Sequence, residues 1–178
     1  MTFDQGRDEK AGLRLAGKIG AGLFALWGLL HLWVGFEGLH QYIVSPADGQ
    51  WRMLIGGSRA PFSSFAFPTD PTTVHVHANL ILNFCIDVAG YGVVGIIAAW
   101  LLFARASWFG YFMGVFLVGI CDVSFTFLQL TSGIIALNIP TVSGPIIWLL
   151  AMVITPFGMP PLSKEFISKR KARLNPAA

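Results

Sequence analysis

Four long apolar stretches run along the chain and are separated by shorter polar segments. They cover about residues 19–40, 74–103, 108–130 and 140–160, and the last contains Pro145 and Pro156, which predict a kink. A helix needs about 20 apolar residues to cross a bilayer core of roughly 30 Å. Because Lys and Arg are nearly absent inside the stretches, the pattern predicts an all-α fold, an integral membrane four-helix bundle that forms a single transmembrane domain.

The composition fits a surface that faces lipid. Hydrophobic residues make up 54% of the 178-residue chain and charged residues only 12%, whereas soluble domains have roughly 25% charged residues. The net charge of +3 does not indicate nucleic acid binding, because the basic residues lie in the tails and beside the apolar stretches. Cys85 and Cys121 lie inside apolar stretches, so we interpret them as small buried hydrophobic residues.

The basic residues also predict how the helices are oriented. Ten of the twelve Lys and Arg residues lie in the N-terminal tail, at Arg105 in a short connection, or in the tail at residues 162–178. Only Arg52 and Arg59 lie between the first two stretches. Because basic loops stay in the cytoplasm, we expect both termini there, N-in and C-in, in a bacterial inner membrane. No small-residue cleavage site closes the first stretch, so we expect it to be retained.

One connection, the outer loop at residues 41–73, is unusually long. It contains an apolar segment with Phe62, Phe65 and Phe67 between two prolines. Loops longer than about 15 residues are usually functional or disordered, and the aromatic content argues against disorder. We expect this segment to pack, either on lipid headgroups as an interfacial segment or on the bundle as a cap over a cavity.

Several ionisable side chains lie inside the apolar stretches, where they are costly. An Asp at the centre of a membrane helix costs roughly 2.5–3.5 kcal/mol, so such residues tend to face the bundle interior. With a rise of about 1.5 Å per residue, His31, Asp87 and Asp122 fall roughly 20–24 Å from the inner side of three different spans. The matched depth predicts a shared polar pocket in the outer half of the membrane, with Asn83 facing the same space.

Two further sets of polar residues each lie along one side of a predicted helix, and we call them polar stripes. Together with His31 and Glu37, their members are the candidate ligand-binding residues. In the second stretch, polar residues recur every four positions and therefore lie along one side of a helix. They are His75, Asn79, Asn83, Asp87 and Tyr91. In the third stretch, the spacing i, i+4, i+7 joins Asp122, Thr126 and Gln129. Asp70 followed by Pro71 predicts the start of the second helix, as cap and first residue.

A purely structural interpretation fits the same residues. Asn, Gln, Thr and Asp side chains can hydrogen-bond between membrane helices, with an average worth of about 0.6 kcal/mol. Gly28, Gly35 and Gly38 share a face with His31 and either let a neighbouring helix approach or leave room for a ligand. Both interpretations are compatible with the sequence.

The metal-binding patterns in the sequence are incomplete. His75 and His77 could chelate a metal only in an extended segment, because helical residues two apart point to nearly opposite sides. Glu37 and His40 form an E-x-x-H pair, but a di-iron bundle needs two such pairs and two further carboxylates. A haem held by one histidine from each of the first two spans is geometrically permitted. The three histidines are therefore candidate metal ligands, and no cofactor is identified.

The run Leu-Trp-Gly-Leu-Leu-His-Leu-Trp-Val-Gly at residues 26–35 resembles the first span of small four-helix membrane proteins of the broad DoxX-like kind. The size and the four-span layout are also similar. The resemblance implies the same architecture, and some members of that group are associated with respiratory quinone or thiol chemistry. It implies no functional residue, because no catalytic motif matches residue by residue.

The pocket residues suggest the function that we expect. In a low-dielectric site, His31, Asp87 and Asp122 are candidate catalytic residues, because buried carboxylates can exchange protons with a histidine. We expect the protein to bind or process a small lipophilic molecule that enters from the membrane lipid. The alternatives are a small transporter or proton-relay protein, as a homo-oligomer because four short spans enclose little space, and an accessory subunit of a membrane complex.

Overall fold

A computed structural model of the protein describes residues 13–44, 66 and 68–162. In this part of the chain the regular elements are helices, and four of them are long and apolar enough to cross a membrane. They are α1 (Leu15–Val44), α2 (Pro71–Arg105), α3 (Trp108–Leu130) and α4 (Ile139–Gly158). The chain is therefore an integral membrane protein, as the apolar pattern predicts.

Large apolar side chains are exposed on the outer surface of all four helices. Large side chains such as Phe36, Phe103, Phe116 and Phe157 are between 52% and 75% exposed. A soluble protein rarely exposes contiguous apolar surface on this scale, whereas lipid solvates it. The apolar residues outside the core are therefore explained by contact with the bilayer.

Local capping interactions set where the helices begin. The Asp70 carboxylate accepts a hydrogen bond of 2.8 Å from the Thr73 backbone N–H, and Pro71 is the first helical residue, so the predicted start of α2 is confirmed. At α4, the Asn138 and Thr141 side chains form a reciprocal capping box. Helices α1 and α2 extend a few residues past the predicted limits of 19–40 and 74–103, because a helix need not end where its apolar residues end.

The helices run up and down around the bundle. Helices α1 and α3 each pack against α2 and α4, so α1 and α3 lie diagonally opposite each other. Gly28 lies against Gly92 and Gly35 against Ala89, so α1 and α2 are antiparallel. Helix α4 is antiparallel to α1 and α3, because its early residue Gly144 lies against His31 and Asp122 and its later residues lie against earlier parts of those helices. One such contact is the hydrogen bond of 3.1 Å from the Trp148 indole N–H to the Gly114 carbonyl oxygen.

Two apolar clusters form the core at different levels of the bundle. The larger one includes Phe24, Trp27, Leu102 and Trp148 and lies towards the start of α1. The smaller one lies towards the other end and consists of Ile81, Cys85, Leu130 and Ile135. Neither cysteine forms a disulfide, and Cys85 is buried and Cys121 half-buried, which agrees with their interpretation as small packed residues. The space between the clusters contains the polar residues described below.

Helix α3 departs from regular geometry in two places. It contains π-helical segments at Met113–Val118 and Thr126–Leu130, and it packs closely on α2 only along its first half. In α4, the helix continues through Pro145 and tightens to a 3₁₀ turn at Thr155–Gly158, which contains Pro156. The predicted packing of the outer-loop phenylalanines Phe62, Phe65 and Phe67 lies outside the described residues.

Candidate functional site

Asp122 is the most deeply buried carboxylate in the described part of the chain. Its residue surface is only 2% exposed, and it lies on α3 where the two core clusters leave a gap. The Trp27 indole N–H on α1 donates a hydrogen bond of 2.6 Å to Asp122 Oδ2. On the same helix, His31 Nε2 lies 3.9 Å from Asp122 Oδ1. The three side chains join the two diagonally opposed helices across the centre of the bundle.

The orientation of His31 is fixed by its own helix. Its Nδ1 lies 2.8 Å from the Trp27 carbonyl oxygen, and because a carbonyl only accepts, Nδ1 carries a proton. The imidazole stacks on the Trp27 indole with a centroid distance of 3.5 Å. Nε2 is consequently the ring atom directed at Asp122 and is the only one that can gain or lose a proton without breaking the contact to the backbone.

Three glycines allow these side chains to meet. A Cβ atom on Gly28 would lie 2.6 Å from the Gly92 carbonyl oxygen, so α1 and α2 touch backbone to backbone just below His31. A Cβ atom on Gly144 of α4 would lie 3.1 Å from both Asp122 Oδ1 and His31 Cε1. The close approach of α2 to α1 and of α4 to the His31–Asp122 pair therefore encloses the pair, and Gly144 also lines the open space beside it.

This open space is a cavity of about 290 Å³ to which all four helices contribute. The aromatic side chains of Trp33, Phe84 and Phe125 form much of its wall, and His31 and Asp122 form its polar part. Trp33 is 49% exposed and also lines the cavity, so the cavity reaches the lipid-facing surface of α1. An apolar chamber with a few convergent polar groups is the usual form of a small-molecule site.

The two hydroxyl groups of the described wall are already engaged in hydrogen bonds within α4 and the turn before it. The Thr141 hydroxyl shares its one hydrogen between the carbonyl oxygens of Ala136 and Asn138, each at 3.0 Å, and the Ser143 hydroxyl donates to the Pro140 carbonyl oxygen. Asp122 Oδ1 and His31 Nε2 are 3.9 Å apart, which is beyond hydrogen-bond distance. These two atoms are therefore a point in the cavity where a bound molecule can make polar contacts.

The prediction that four residues share this space is wrong for two of them. Asn83 and Asp87 are exposed on the surface of α2, where the Asn83 amide donates a hydrogen bond of 2.9 Å to the Asp87 carboxylate. Asp87 lies in a separate groove between α2 and α3, and Phe84 and Phe125 border both this groove and the cavity. The prediction from matched depth is therefore correct for His31 and Asp122, which lie close together. It is wrong for Asp87, because the rotation of α2 about its axis directs this side chain away from the cavity.

The remaining members of the α2 stripe do not enter the cavity. His75 and Asn79 are exposed, with 3.2 Å between the Asn79 amide nitrogen and His75 Nε2, and the Tyr42 hydroxyl donates to Asn79 at 2.8 Å. Tyr91 is half-buried and lines the groove with Asp87. The stripe therefore links α1 to α2 at one end and borders the groove at the other.

Glu37 lies at the same end of α1 as Tyr42. Its carboxylate accepts a hydrogen bond of 2.5 Å from the Gln41 side chain and lies 3.4 Å from His40 Nδ1. The E-x-x-H pair is thus a contact within one helix. Among the residues described, no three His, Cys, Asp or Glu side chains form a group that could hold a metal ion. The candidate ligands His40, His75 and His77 are accordingly not brought together with enough partners.

The stripe predicted on α3 is divided by the second π-helical segment. Asp122 lies in the regular helix before it, whereas Thr126 and Gln129 lie within it. A π turn contains an extra residue, so side chains beyond it no longer follow the α-helical spacing. Gln129 lines the groove between α2 and α3, and Thr126 is half-buried. Only Asp122 of this stripe reaches the cavity.

Sequence reasoning did not identify Trp27 or Gly144 as site residues. Trp27 is fully buried and supplies both the N–H to Asp122 and the carbonyl to His31. Its position four residues before a histidine on one helix face was the available signal, since residues four apart are neighbours on a helix surface. Gly144 has no such signal, because its role depends on where α4 packs.

Comparison of the chain with known protein families, with curated proteins and with solved structures gives no match.

Proposed function

We propose that this membrane protein binds a small lipophilic molecule in the cavity beside His31 and Asp122. The observation that carries the proposal is a buried carboxylate directed into a chamber of about 290 Å³ whose wall is otherwise mostly apolar. An ionisable residue inside a membrane span is costly and usually marks a functional site. A molecule with an apolar body and a polar group would match both parts of this chamber.

The route of entry follows from the exposed part of the wall. Trp33 of α1 and Pro140 of α4 border the cavity and are exposed on the outside of the bundle. A molecule dissolved in the bilayer can reach the chamber between these two helices without crossing water. Its polar group would then lie on the cavity side of His31 Nε2 and Asp122 Oδ1, within reach of both, and its apolar body would lie against the aromatic wall.

The topology and location of the protein belong to the same proposal. Ten of the twelve basic residues lie on the side of the two termini, which supports an N-in, C-in arrangement in a bacterial inner membrane. With this orientation the cavity lies in the outer half of the bilayer. The exposed Asp87 on a lipid-facing helix also supports a homo-oligomer in which a neighbouring subunit covers the carboxylate.

A second candidate function is supported by the His31–Asp122 pair itself. Nε2 and Oδ1 face each other across 3.9 Å, so a proton can be exchanged between them through one water molecule or one ligand group. Chains of Asp, Glu and His carry protons in membrane pumps and transporters. If the pair works in this way, proteoliposomes should show proton flux that is lost in His31→Gln but kept in the exposed variant His40→Gln.

Photolabelling with a long-chain alcohol that carries a diazirine tests the binding site directly. Adducts should concentrate on the cavity residues Trp33, Phe84 and Phe125 and should be lost in Gly144→Leu, which fills the space beside Asp122. The matched control is Gly22→Leu, because a side chain at Gly22 on α1 meets nothing within 4 Å. Adducts spread evenly over exposed apolar residues, unchanged by Gly144→Leu, would contradict the proposed site.

A further inference from the structure

The cavity contains a carboxylate that no fixed positive charge balances. Asp122 is the only acidic residue in the described wall, and none of the described wall residues is a Lys or Arg. Its Oδ2 atom receives the neutral Trp27 N–H, which helps to hold a negative charge but does not cancel it. Keeping an isolated charge in a low-dielectric interior is expensive, so the carboxylate must either take up a proton itself or be balanced by a positive charge beside it.

His31 can provide that charge by taking up a proton. Its Nδ1–H is committed to the Trp27 carbonyl, so the additional proton goes to Nε2, which faces Asp122 Oδ1. Among the described residues of the wall, no other group facing the pair can replace it. From α3 the neighbouring titratable group is the Cys121 thiol. The described wall residues of α4 and α2 include no titratable side chain, since the polar groups of α4 are the Thr141 and Ser143 hydroxyls and α2 contributes Phe84 and Val88. The negative charge of the pair can therefore be balanced by one proton or by one other cation.

The wall beside the pair suits an organic cation. Trp33, Phe84 and Phe125 present aromatic rings to the same chamber, and the faces of aromatic rings attract cations, most strongly where water is excluded. The Trp27 indole lies behind His31, with ring centroids 3.5 Å apart. The chamber thus combines one buried anion, aromatic walls and access from lipid, which is the chemistry that recognises a quaternary or primary ammonium group on an apolar chain.

We infer that the ligand of this cavity is a lipophilic cation, and that its binding displaces the proton held by the His31–Asp122 pair. The inference rests on the proposed function, since it names the ligand class of the same cavity. The exchange is balanced, because one positive charge enters as the ammonium group and one leaves as a proton. Affinity for a permanently charged cation should therefore rise as the pH rises, until the pair no longer holds the proton.

The test is equilibrium binding of radiolabelled octyltrimethylammonium to the full chain in phosphatidylcholine nanodiscs, with empty nanodiscs as the blank. This probe does not titrate, so any pH dependence comes from the protein. While the pair holds the proton, affinity should rise about tenfold per pH unit, since one proton is displaced for each cation bound. The uncharged carbon isostere 2,2-dimethyldecane should compete at least tenfold more weakly than the unlabelled cation.

Two variants are compared, each of which replaces one membrane aspartate with asparagine. Asp122→Asn should reduce affinity for the cation at least tenfold, whereas Asp87→Asn, which removes the carboxylate of the neighbouring groove, should keep both the affinity and its pH dependence. Loss of binding in Asp87→Asn but not in Asp122→Asn would assign the cation to the groove and overturn the inference. The pH series and the isostere are measured on the unaltered chain, so they decide the question even if Asp122→Asn does not fold.

The outcomes separate this inference from the proposed function. If the isostere competes as well as the cation and affinity is independent of pH, the cavity binds lipophilic molecules without selecting charge, and the inference is wrong. If photolabelling of the cavity and cation binding both fail, the proposed function fails as well. Selective, pH-dependent binding that requires Asp122 supports both.

Discussion

The contact between Gly28 and Gly92 gives a sharp test of how α1 and α2 pack. A Cβ atom added at Gly28 would lie 2.6 Å from the Gly92 carbonyl oxygen and 2.8 Å from Ile96 Cγ1, whereas ordinary van der Waals contact begins at 3.4 Å. Because the nearest atom is backbone, the two helices must separate. In Gly28→Ala this overpacking should cost roughly 1–3 kcal/mol.

Gly22→Ala provides the matched control on the same helix. A Cβ atom at Gly22 meets nothing within 4 Å. Both substitutions gain the same helix propensity of about 1 kcal/mol, so the difference between the two variants isolates the cost of the lost contact. At roughly 2–4 °C per kcal/mol for a chain of this length, Gly28→Ala should melt several degrees below Gly22→Ala.

A thiol-reactive fluorogenic dye can follow this unfolding in detergent. Cys85 is fully buried, and its carbonyl oxygen lies 3.1 Å from where a Cβ atom on Gly35 would be, so its thiol becomes accessible when α1 and α2 separate. The experiment uses a Cys121→Ala background, so that only Cys85 reacts. Equal melting temperatures for Gly28→Ala and Gly22→Ala would show that the backbones of α1 and α2 do not touch at Gly28.

Three further predictions concern a buried hydrogen bond, a helix cap and the topology. Trp27→Phe removes the N–H donor at 2.6 Å from Asp122 and should destabilise the protein by about 1–3 kcal/mol in the same dye assay. The control Trp33→Phe, at an exposed position, should change the stability little. Equal effects of the two substitutions would contradict the role of the Trp27 indole N–H. Hydrogen bonds from Thr73 lower the pKa of Asp70 below its ordinary value of 3.8, so the cap stabilises α2 above about pH 4 and this stabilisation is lost as the pH falls through the lowered value. The stability difference between the unaltered chain and Asp70→Ala should therefore shrink on acidification, and a difference that stays constant from pH 6 to 3 would exclude the cap. A periplasmically active phosphatase fused to the C-terminus should be inactive if that terminus is cytoplasmic, and high activity would refute the N-in, C-in arrangement.

The sequence was sufficient for the helices because their existence depends on properties that can be read along the chain. Length and apolarity predicted four membrane-crossing helices, and Asp70 with Pro71 predicted where α2 begins. Capping involves residues only three apart, so no knowledge of the tertiary structure is needed. Depth within the bilayer is likewise counted along the helix, and it correctly placed His31 and Asp122 at one level.

The tertiary structure decided which polar residues meet, because the direction in which a side chain points depends on how each helix is rotated against its neighbours. The Gly28–Gly92 contact sets this rotation for α1 and α2 and leaves Asp87 outside, although its depth matches that of Asp122. Trp27 could not be recognised as a partner of Asp122 because the two residues are 95 positions apart, on helices that lie diagonally across the bundle. The candidate site is therefore a product of packing, since its polar groups come from different helices and only close contact between backbones brings them together.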